Sequence, residues 1–158
     1  MDVRPIRELP KSKIIDFFEL QWGSPQMVIS SGVYDCSELE GFTVLKGDKI
    51  IGLITYITQN NECEIISLDS LDECKGIGSL LVKEVETLAL IQGLKLIRLV
   101  TTNDNLLALK FYQKRGYRLS KIINNAVEIA RTVKPEIPLI GNDGIPLRDE
   151  IELVKLLN

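Results

Sequence analysis

Residues 71–81 read LDECKGIGSLL, and they place Gly76 and Gly78 one residue apart where a helix is expected to begin. Backbone N–H groups at a helix N-terminus have no intrahelical partner and carry a partial positive charge. They can therefore bind phosphate oxygens when glycines let a ligand approach. Lys75 would add a positive charge to such a site, and Ser79 would add a hydroxyl group. The stretch has the parts of an anion-binding turn.

Other features of the same stretch argue against a phosphate site. Asp72 and Glu73 place two negative charges before the glycines. A dinucleotide-binding fingerprint needs a third small residue, and Leu81 stands at that position; the chain also contains no Walker-type loop. Taken alone, the residues favour a tight strand-to-helix turn over an anion site.

The segments before this turn predict one helix and several strands, because their apolar residues follow first helical and then strand periodicity. Residues 24–40 have no clear pattern. The expected elements are an edge strand at 3–8, a helix at 12–22 capped by Ser12 and stopped by Gly23, a hairpin at 42–58 that turns at 46–48, and a strand at 63–68 that follows the turn Asn60-Asn61.

The segments after the turn predict two more helices and three strands, separated by a loop rich in Pro and Gly. They are a helix at 79–93, a buried strand at 95–101, a helix from Asn103 to Arg115 stopped by Gly116, a strand at 117–123, a loop at 134–146 and a last strand at 150–157. The strand–helix–strand order predicts a parallel pair. The fold class is α+β, an α/β sandwich with a mixed, mostly antiparallel sheet, a central parallel βαβ unit and flanking helices, in one domain covering residues 1–158.

Composition excludes several classes of function. The chain has 158 residues and a formal net charge of -3, so a basic footprint for nucleic acid is not expected. We find neither a signal peptide nor a stretch long enough to cross a membrane, which favours a cytoplasmic protein. The chain has no histidine and only three cysteines, so a metal site is not expected. Acid–base chemistry must then use carboxylate, tyrosine, cysteine, lysine or water.

A second motif changes the interpretation of the glycine turn. Residues 101–117, TTNDNLLALKFYQKRGY, together with KGIGSLL resemble the GNAT superfamily of N-acetyltransferases over roughly residues 40–120. The matching positions are Gly76-Ile77-Gly78, Asn103, Asn105, Ala108, Phe111-Tyr112 and Gly116-Tyr117. The sequence departs from the family where Glu73 replaces a Gln or Arg, which weakens the expected side-chain contact with pyrophosphate but not the backbone contacts.

The resemblance implies transfer of an acetyl group from acetyl-CoA to a primary amine of a small molecule or protein, by direct attack in a ternary complex. It implies that the backbone of Leu68, Asp69 and Ser70 pairs with pantetheine and that an N–H near Leu68 stabilises the oxyanion. The pyrophosphate would lie on the turn formed by Lys75, Gly76, Ile77, Gly78 and Ser79. Asn103, Asn105, Ala108 and Phe111 would complete the cofactor-binding set, although both asparagines also suit an N-cap and Phe111 suits the core.

Catalytic residues follow from the same resemblance. Tyr112 is the expected general acid, one helical turn after the small Ala108. Glu64 and Glu62 are the expected bases, because simple strand alternation puts both on the face of Leu68. For both glutamates the alternative is a solvated charge near a strand start. Cysteine nucleophile chemistry is not expected, because Cys63 points away from the face of Glu64.

The acceptor is the least defined part of the sequence. Trp22 and residues 24–40 are candidates for lining its site, and acidic residues near the C-terminus could attract a cationic amine, although a solvated surface is favoured for them: Asp143, Asp149, Glu150 and Glu152. The alternative function is a non-catalytic GNAT-fold module that binds acyl-CoA or a partner. A weaker third alternative is a nucleotide-binding domain. We expect a monomer or homodimer.

Overall fold

The β-branched and aromatic segments form strands in the computed structural model, which describes residues 2–71 and 76–157. In the described part of the chain the elements are β1 (Asp2–Pro5), α1 (Lys11–Trp22), β2 (Gln26–Ile29), β3 (Gly32–Asp35), β4 (Glu40–Lys46), β5 (Lys49–Gln59), β6 (Glu62–Ser70), α2 (Ile77–Ile91), β7 (Leu96–Thr102), α3 (Leu106–Lys114), β8 (Arg118–Ile123), α4 (Ala126–Val133) and β9 (Glu150–Leu156). The expected fold class is confirmed: a mixed α/β protein with a mostly antiparallel sheet and a parallel pair of strands.

The chain divides into two compact units. The first contains Met1–Met27, Asp35–Ile97 and Leu157–Asn158, and the second contains Val28–Tyr34 and Arg98–Leu156. No helix in the described residues is long and apolar enough to cross a membrane.

The sheet of the first unit is antiparallel, with its strands in the order β1-β4-β5-β6. The predicted hairpin of β4 and β5 is confirmed. Its turn at 46–48 and the following turn at Asn60-Asn61 are confirmed as well. Gly47 has a φ of 63°, and Asn60 and Asn61 have φ values of 55° and 61°. Positive φ at both central residues matches the right-handed twist of the two strands, which is why a short Asn-Asn turn can join β5 to β6.

The N-terminal elements differ from the prediction at their boundaries. The expected edge strand at 3–8 ends at Pro5, and residues 6–8 form a 3-10 turn that buries Ile6. Helix α1 begins one residue before Ser12, with Pro10 as its N-cap and no side-chain cap, so Ser12 is not the cap. Gly23 ends α1 with a φ of 85°, as predicted.

Helix α2 packs against β5 at a position where only glycine fits. A Cβ on Gly52 would lie 2.4 Å from Cγ2 of Ile77 and 3.1 Å from Cδ1 of Leu81. Ile77 and Leu81 are fully buried, and so is Leu53 beside the glycine. The missing side chain of Gly52 therefore lets the first turn of α2 approach the sheet and fixes where that turn begins.

The second unit contains a helix that the sequence reasoning missed. Strand β8 pairs antiparallel with β9, as expected for closure of the sheet. Between them lies α4, which buries only small or β-branched residues, Ala126, Val127 and Ala130, while Ile129 and Val133 are exposed. The apolar residues Ala126, Val127, Ala130 and Val133 follow helical spacing, so the pattern of this segment could have revealed the helix.

Candidate functional site

Strand β6 contains a β-bulge that moves the candidate bases to another face. Thr55 of β5 pairs with Ser67, but the next residue, Tyr56, pairs with Ile65, so one residue of β6 is extra. A bulge shifts the two-residue alternation of side chains by one. Glu62 and Glu64 therefore share the face of Ser67 and Asp69, and the expectation that they share the face of Leu68 is wrong.

A buried polar row follows that face of β6. The hydroxyl oxygens of Thr55 and Ser67 lie 2.5 Å apart, and both side chains are buried. The thiol of Cys36 hydrogen-bonds to the same two side chains, but burial dominates and raises its pKa to about 11. Burial also raises the pKa of Cys63 to about 12. Neither thiol ionises near neutral pH, so neither suits a nucleophile.

Asp69 lies at the end of this row, and only one oxygen of its carboxylate accepts a hydrogen bond from the described residues. Nε1 of Trp22 donates a hydrogen bond of 3.0 Å to Oδ1 of Asp69. Among the described residues, Oδ2 of Asp69 is buried and has no hydrogen-bond partner. Burial raises the pKa of Asp69 to about 6, and the Trp22 hydrogen bond lowers it in part. Sequence reasoning placed Asp69 in the site for its backbone and missed its side chain.

The N-terminus of α2 suits an anionic ligand. Gly76 is the N-cap, with a φ of 71°, and a Cβ at this position would meet no atom of the described residues within 4 Å. Oγ of Ser70, at the end of β6, is buried without a partner among the described residues. Space at the glycine and an unsatisfied hydroxyl group fit the phosphates and amides of a CoA-like ligand.

The remaining residues of the predicted turn differ in how they could contact a ligand. Ile77 is fully buried against Gly52 and serves the core, so only its backbone can reach a ligand. Gly78 and Ser79 lie in the first turn of α2. The predicted contact of Lys75 and the departure at Glu73 lie outside the described residues. The same holds for Asp72 and Cys74.

Helix α3 in the second unit has the cap that its sequence predicts. Oδ1 of Asn105 accepts a hydrogen bond of 3.1 Å from the N–H of Ala108, so Asn105 is the N-cap and the helix begins three residues after Asn103. Tyr112 is buried on this helix and contacts Tyr117 edge-on, with ring centroids 5.4 Å apart. Packing therefore restricts the ring that carries the proposed acid.

Phe111 and Asn103 have structural roles in the second unit. The guanidinium of Arg115 lies 3.7 Å from the ring centroid of Phe111. Oδ1 of Asn103 accepts hydrogen bonds from the N–H groups of Arg148 and Asp149, and its Nδ2 donates to the carbonyl of Pro146. The Asn103 side chain thus holds the loop before β9. Its predicted contact with the cofactor, like that of Phe111, stays a prediction.

The acidic residues near the C-terminus do not form one cation-attracting patch. Asp149 accepts a hydrogen bond from the N–H of Asn125, which lowers its pKa, and it also pairs with Arg148. Glu150 is 2% exposed and accepts from the N–H of Ser30. These two carboxylates satisfy backbone donors, so the suggestion that they attract the amine is not supported.

The structure thus brings the predicted residues together in two groups. The first unit contains residues along β6 and at the start of α2: Glu62, Glu64, Leu68, Asp69, Ser70, Gly76, Ile77, Gly78 and Ser79. The second unit contains the α3 group: Asn103, Asn105, Ala108, Phe111 and Tyr112.

Comparison with known proteins identifies relatives of the chain. The model of the acetyltransferase (GNAT) family matches residues 11–117. The uncharacterized protein YxbD of Bacillus subtilis (strain 168) is 54% identical over 158 residues, which covers 99% of each chain. These matches do not favour a non-catalytic binding module.

Solved structures have the same fold. The IAA acetyltransferase from Bacillus cereus ATCC 14579 matches 99% of this chain and 100% of its own, with a TM-score of 0.70 and 22% identity, which concerns the fold alone. A GNAT family acetyltransferase from Elizabethkingia anophelis matches 77% of this chain and 78% of its own, with a TM-score of 0.66 and 25% identity. That structure contains bound acetyl-CoA.

Proposed function

Because the chain belongs to the acetyltransferase (GNAT) family, we propose that it transfers an acetyl group from acetyl-CoA to a primary amine of a small molecule or a protein. The amine attacks the thioester directly in a ternary complex. The observation that carries this proposal is the glycine N-cap of α2 at Gly76, which follows shortly after the Ser70 hydroxyl at the end of β6, a group without a partner among the described residues.

The proposed contacts with acetyl-CoA come mainly from the backbone. The N–H groups of Ile77 and Gly78 lie at the start of a 15-residue helix, where backbone N–H groups have no acceptor within the helix. The helix dipole favours the negative pyrophosphate at this end. The backbone of Leu68 and Ser70 would pair with the amides of the pantetheine arm, as an added strand does.

The chemistry needs three groups. An amine with a pKa near about 10.4 is mostly protonated at neutral pH, so a base must take its proton. We assign this role to a carboxylate on β6, for which the resemblance implies Glu64 or Glu62. The thioester oxygen gains negative charge during attack, and the N–H of Leu68 is the proposed donor to it. Tyr112 is the proposed acid for the departing thiolate.

Binding and turnover test the proposal separately. Isothermal titration with acetyl-CoA, CoA, NAD and ATP should show binding of the first two ligands only. Loss of thioester absorbance should then require both the protein and an amine from a panel of spermidine, putrescine, L-lysine, tyramine and an alanine-initiated tripeptide. Binding of NAD or ATP without CoA would contradict the proposed cosubstrate. Acetyl-CoA binding without turnover on any amine of the panel would count against transfer.

A further inference from the structure

We propose that the Asp69 carboxylate, through Oδ2, is the catalytic base that takes the proton from the acceptor amine, with Trp22 as its positioning residue. This inference rests on the proposed acetyl transfer. It goes beyond that proposal because the resemblance assigned Asp69 only a backbone role and assigned the base to Glu64 or Glu62.

The hydrogen-bonding state of the carboxylate is the main support for this role. Oδ1 is occupied by the indole N–H of Trp22 at 3.0 Å, and Oδ2 is buried without a partner among the described residues. A buried carboxylate oxygen without a partner costs free energy that a fold normally avoids, so it needs an explanation. A bound amine that donates to Oδ2, directly or through one water, supplies the missing partner.

The orientation of Asp69 is fixed by packing and not by another charge. Trp22 is the last residue of α1, and Gly23 ends the helix behind it in the left-handed region. The Trp22 ring packs on Phe18, with centroids 4.5 Å apart, and Phe18 is fully buried. A rigid donor on one oxygen holds the carboxylate in place and directs the lone pairs of the other oxygen away from Trp22, as an orienting group does for a base.

Burial, and not a neighbouring charge, raises the pKa of Asp69 enough for it to act as a base. Cys36 lies close enough to interact with it, but that thiol is neutral at working pH because burial raises its pKa to about 11. Asp35 acts on the same thiol, and Glu64 lies on the same face of β6 as Asp69. Burial raises the pKa of Asp69 to about 6, so at pH 7.5 the group is mostly ionised and able to accept a proton.

Position along β6 favours Asp69 over the glutamates. Asp69 lies between Leu68 and Ser70, whose backbone is proposed to hold the reacting end of the cosubstrate. The bulge lies between Glu64 and Leu68, so Glu64 is four residues away along an irregular strand. A base must lie within hydrogen-bond reach of the amine that attacks the thioester, and Asp69 is the nearer carboxylate along β6.

Protons and electrons balance over the proposed reaction. The ammonium group gives one proton to Oδ2 of Asp69, which releases it to solvent. The nitrogen lone pair then forms the C–N bond to the carbonyl carbon, and the C–S bond breaks with its electron pair on sulfur. Nitrogen loses a second proton to solvent, and the thiolate gains one from Tyr112, which is reprotonated from solvent. One ammonium ion and one acetyl-CoA thus give one amide, one CoA thiol and one proton.

Trp22 is the only tryptophan in the chain, so its indole N–H reports on Asp69 without competing signals. The indole peak in a ¹H–¹⁵N correlation spectrum should shift with pH, with a midpoint near the Asp69 pKa of about 6. In Asp69→Asn this shift should disappear, while the peak stays dispersed because the amide oxygen still accepts the bond. A wild-type indole peak that does not move between pH 4.5 and 8 would overturn the inference.

Kinetics with the amine from the panel that shows turnover complete the test. Asp69→Asn should lower kcat by about 100-fold or more, should leave the Kd for acetyl-CoA within about threefold, and should remove the acidic limb of the kcat/KM profile. Asp48→Asn makes the same chemical change at an exposed turn and should retain wild-type kinetics.

Trp22→Phe tests the positioning role of Trp22. It removes the donor that lowers the Asp69 pKa, so the acidic limb of the kcat/KM profile should move to higher pH. A purely structural role of Trp22 would not move this limb.

Two outcomes separate the inference from the proposed function. In one outcome, Asp69→Asn keeps the turnover of wild type, and Glu64→Gln removes the acidic limb of the kcat/KM profile. This result would overturn the inference but leave the proposed function intact. A wild-type protein that neither binds acetyl-CoA nor turns it over would overturn both.

Discussion

Nε1 of Trp22 donates a hydrogen bond to Oδ1 of Asp69 across 47 residues of sequence, while Oδ2 of the same carboxylate is buried with no partner among the described residues. One neutral donor does not replace the water that an ionised carboxylate loses on burial. The pKa of Asp69 therefore rises to about 6 from its ordinary value of 3.8. Asp69 should then reduce stability wherever it is ionised.

Asp69→Asn should stabilise the protein more at pH 8 than at pH 5. A raised carboxyl pKa means that the folded state binds more protons than the unfolded state between pH 3.8 and about 6. Stability from this group is present at low pH and is lost as pH rises through that window. The melting temperature of Asp69→Asn relative to wild type should be roughly 5 °C higher at pH 8 than at pH 5. An equal difference at both pH values would contradict the raised pKa.

Asp149→Asn should have the opposite pH dependence. The N–H of Asn125 and the side chain of Arg148 favour the ionised form of Asp149 and lower its pKa. A lowered pKa gives stability that is present at neutral pH and lost as pH falls through the folded-state pKa. The substitution should cost about 1–3 kcal/mol of unfolding free energy at pH 7 and less at acidic pH, measured by urea denaturation. A cost that does not decrease at acidic pH would show that the carboxylate charge is unimportant.

Gly76→Ala should weaken acetyl-CoA binding more than it weakens the fold. A methyl group on Gly76 meets no atom of the described residues within 4 Å, so the cost in the free protein is backbone strain of about 1–2 kcal/mol. A ligand lying on the first turn of α2 would collide with that methyl group, so the Kd measured by calorimetry should rise at least about tenfold.

Gly93→Ala is the matched control for Gly76→Ala. Gly93 follows the other end of α2 and has a φ of 70° against 71° for Gly76, and a methyl group on it would also meet nothing within 4 Å. Both variants should lose similar stability, but only Gly76→Ala should lose affinity. Equal affinities in the two variants would place the pyrophosphate elsewhere.

Tyr112→Phe should lower turnover without lowering cosubstrate binding. Loss of a general acid costs about 100-fold or more in kcat, and the effect should be smaller for an acetyl thioester with a more acidic thiol. Tyr117→Phe makes the same change on the neighbouring ring, 5.4 Å away, and is the control for lost packing or hydrogen bonding in the core. Equal losses in both variants, measured by thioester absorbance, would remove Tyr112 from the mechanism.

Local chemistry made most of the fold predictable from sequence. The turns at Gly47 and at Asn60-Asn61 join the strands that alternation predicts, and Gly23 ends α1 as expected. These features depend on neighbouring residues and on φ preferences that few residue types share. Asn105 as the N-cap of α3 is of the same kind.

Features that depend on distant contacts could not be predicted in this way. The bulge in β6 has no glycine or proline to reveal it, and it reverses the face of Glu64 relative to Leu68. The Trp22–Asp69 hydrogen bond joins residues on a helix and a strand far apart in sequence. Side-chain alternation and spacing describe one element at a time, so the face of β6 on which Glu64 and Asp69 lie required the structure.

Detection of the acetylated amine tests the proposed acetyl transfer most directly. Purified protein is incubated at pH 8 with acetyl-CoA labelled in the acetyl group and with each amine of the panel, and products are identified by mass spectrometry. We expect a labelled amide for at least one amine, formed only with active protein and in equal amount to the CoA released. Release of CoA without any labelled amide would show hydrolysis instead of transfer and would contradict the proposed function.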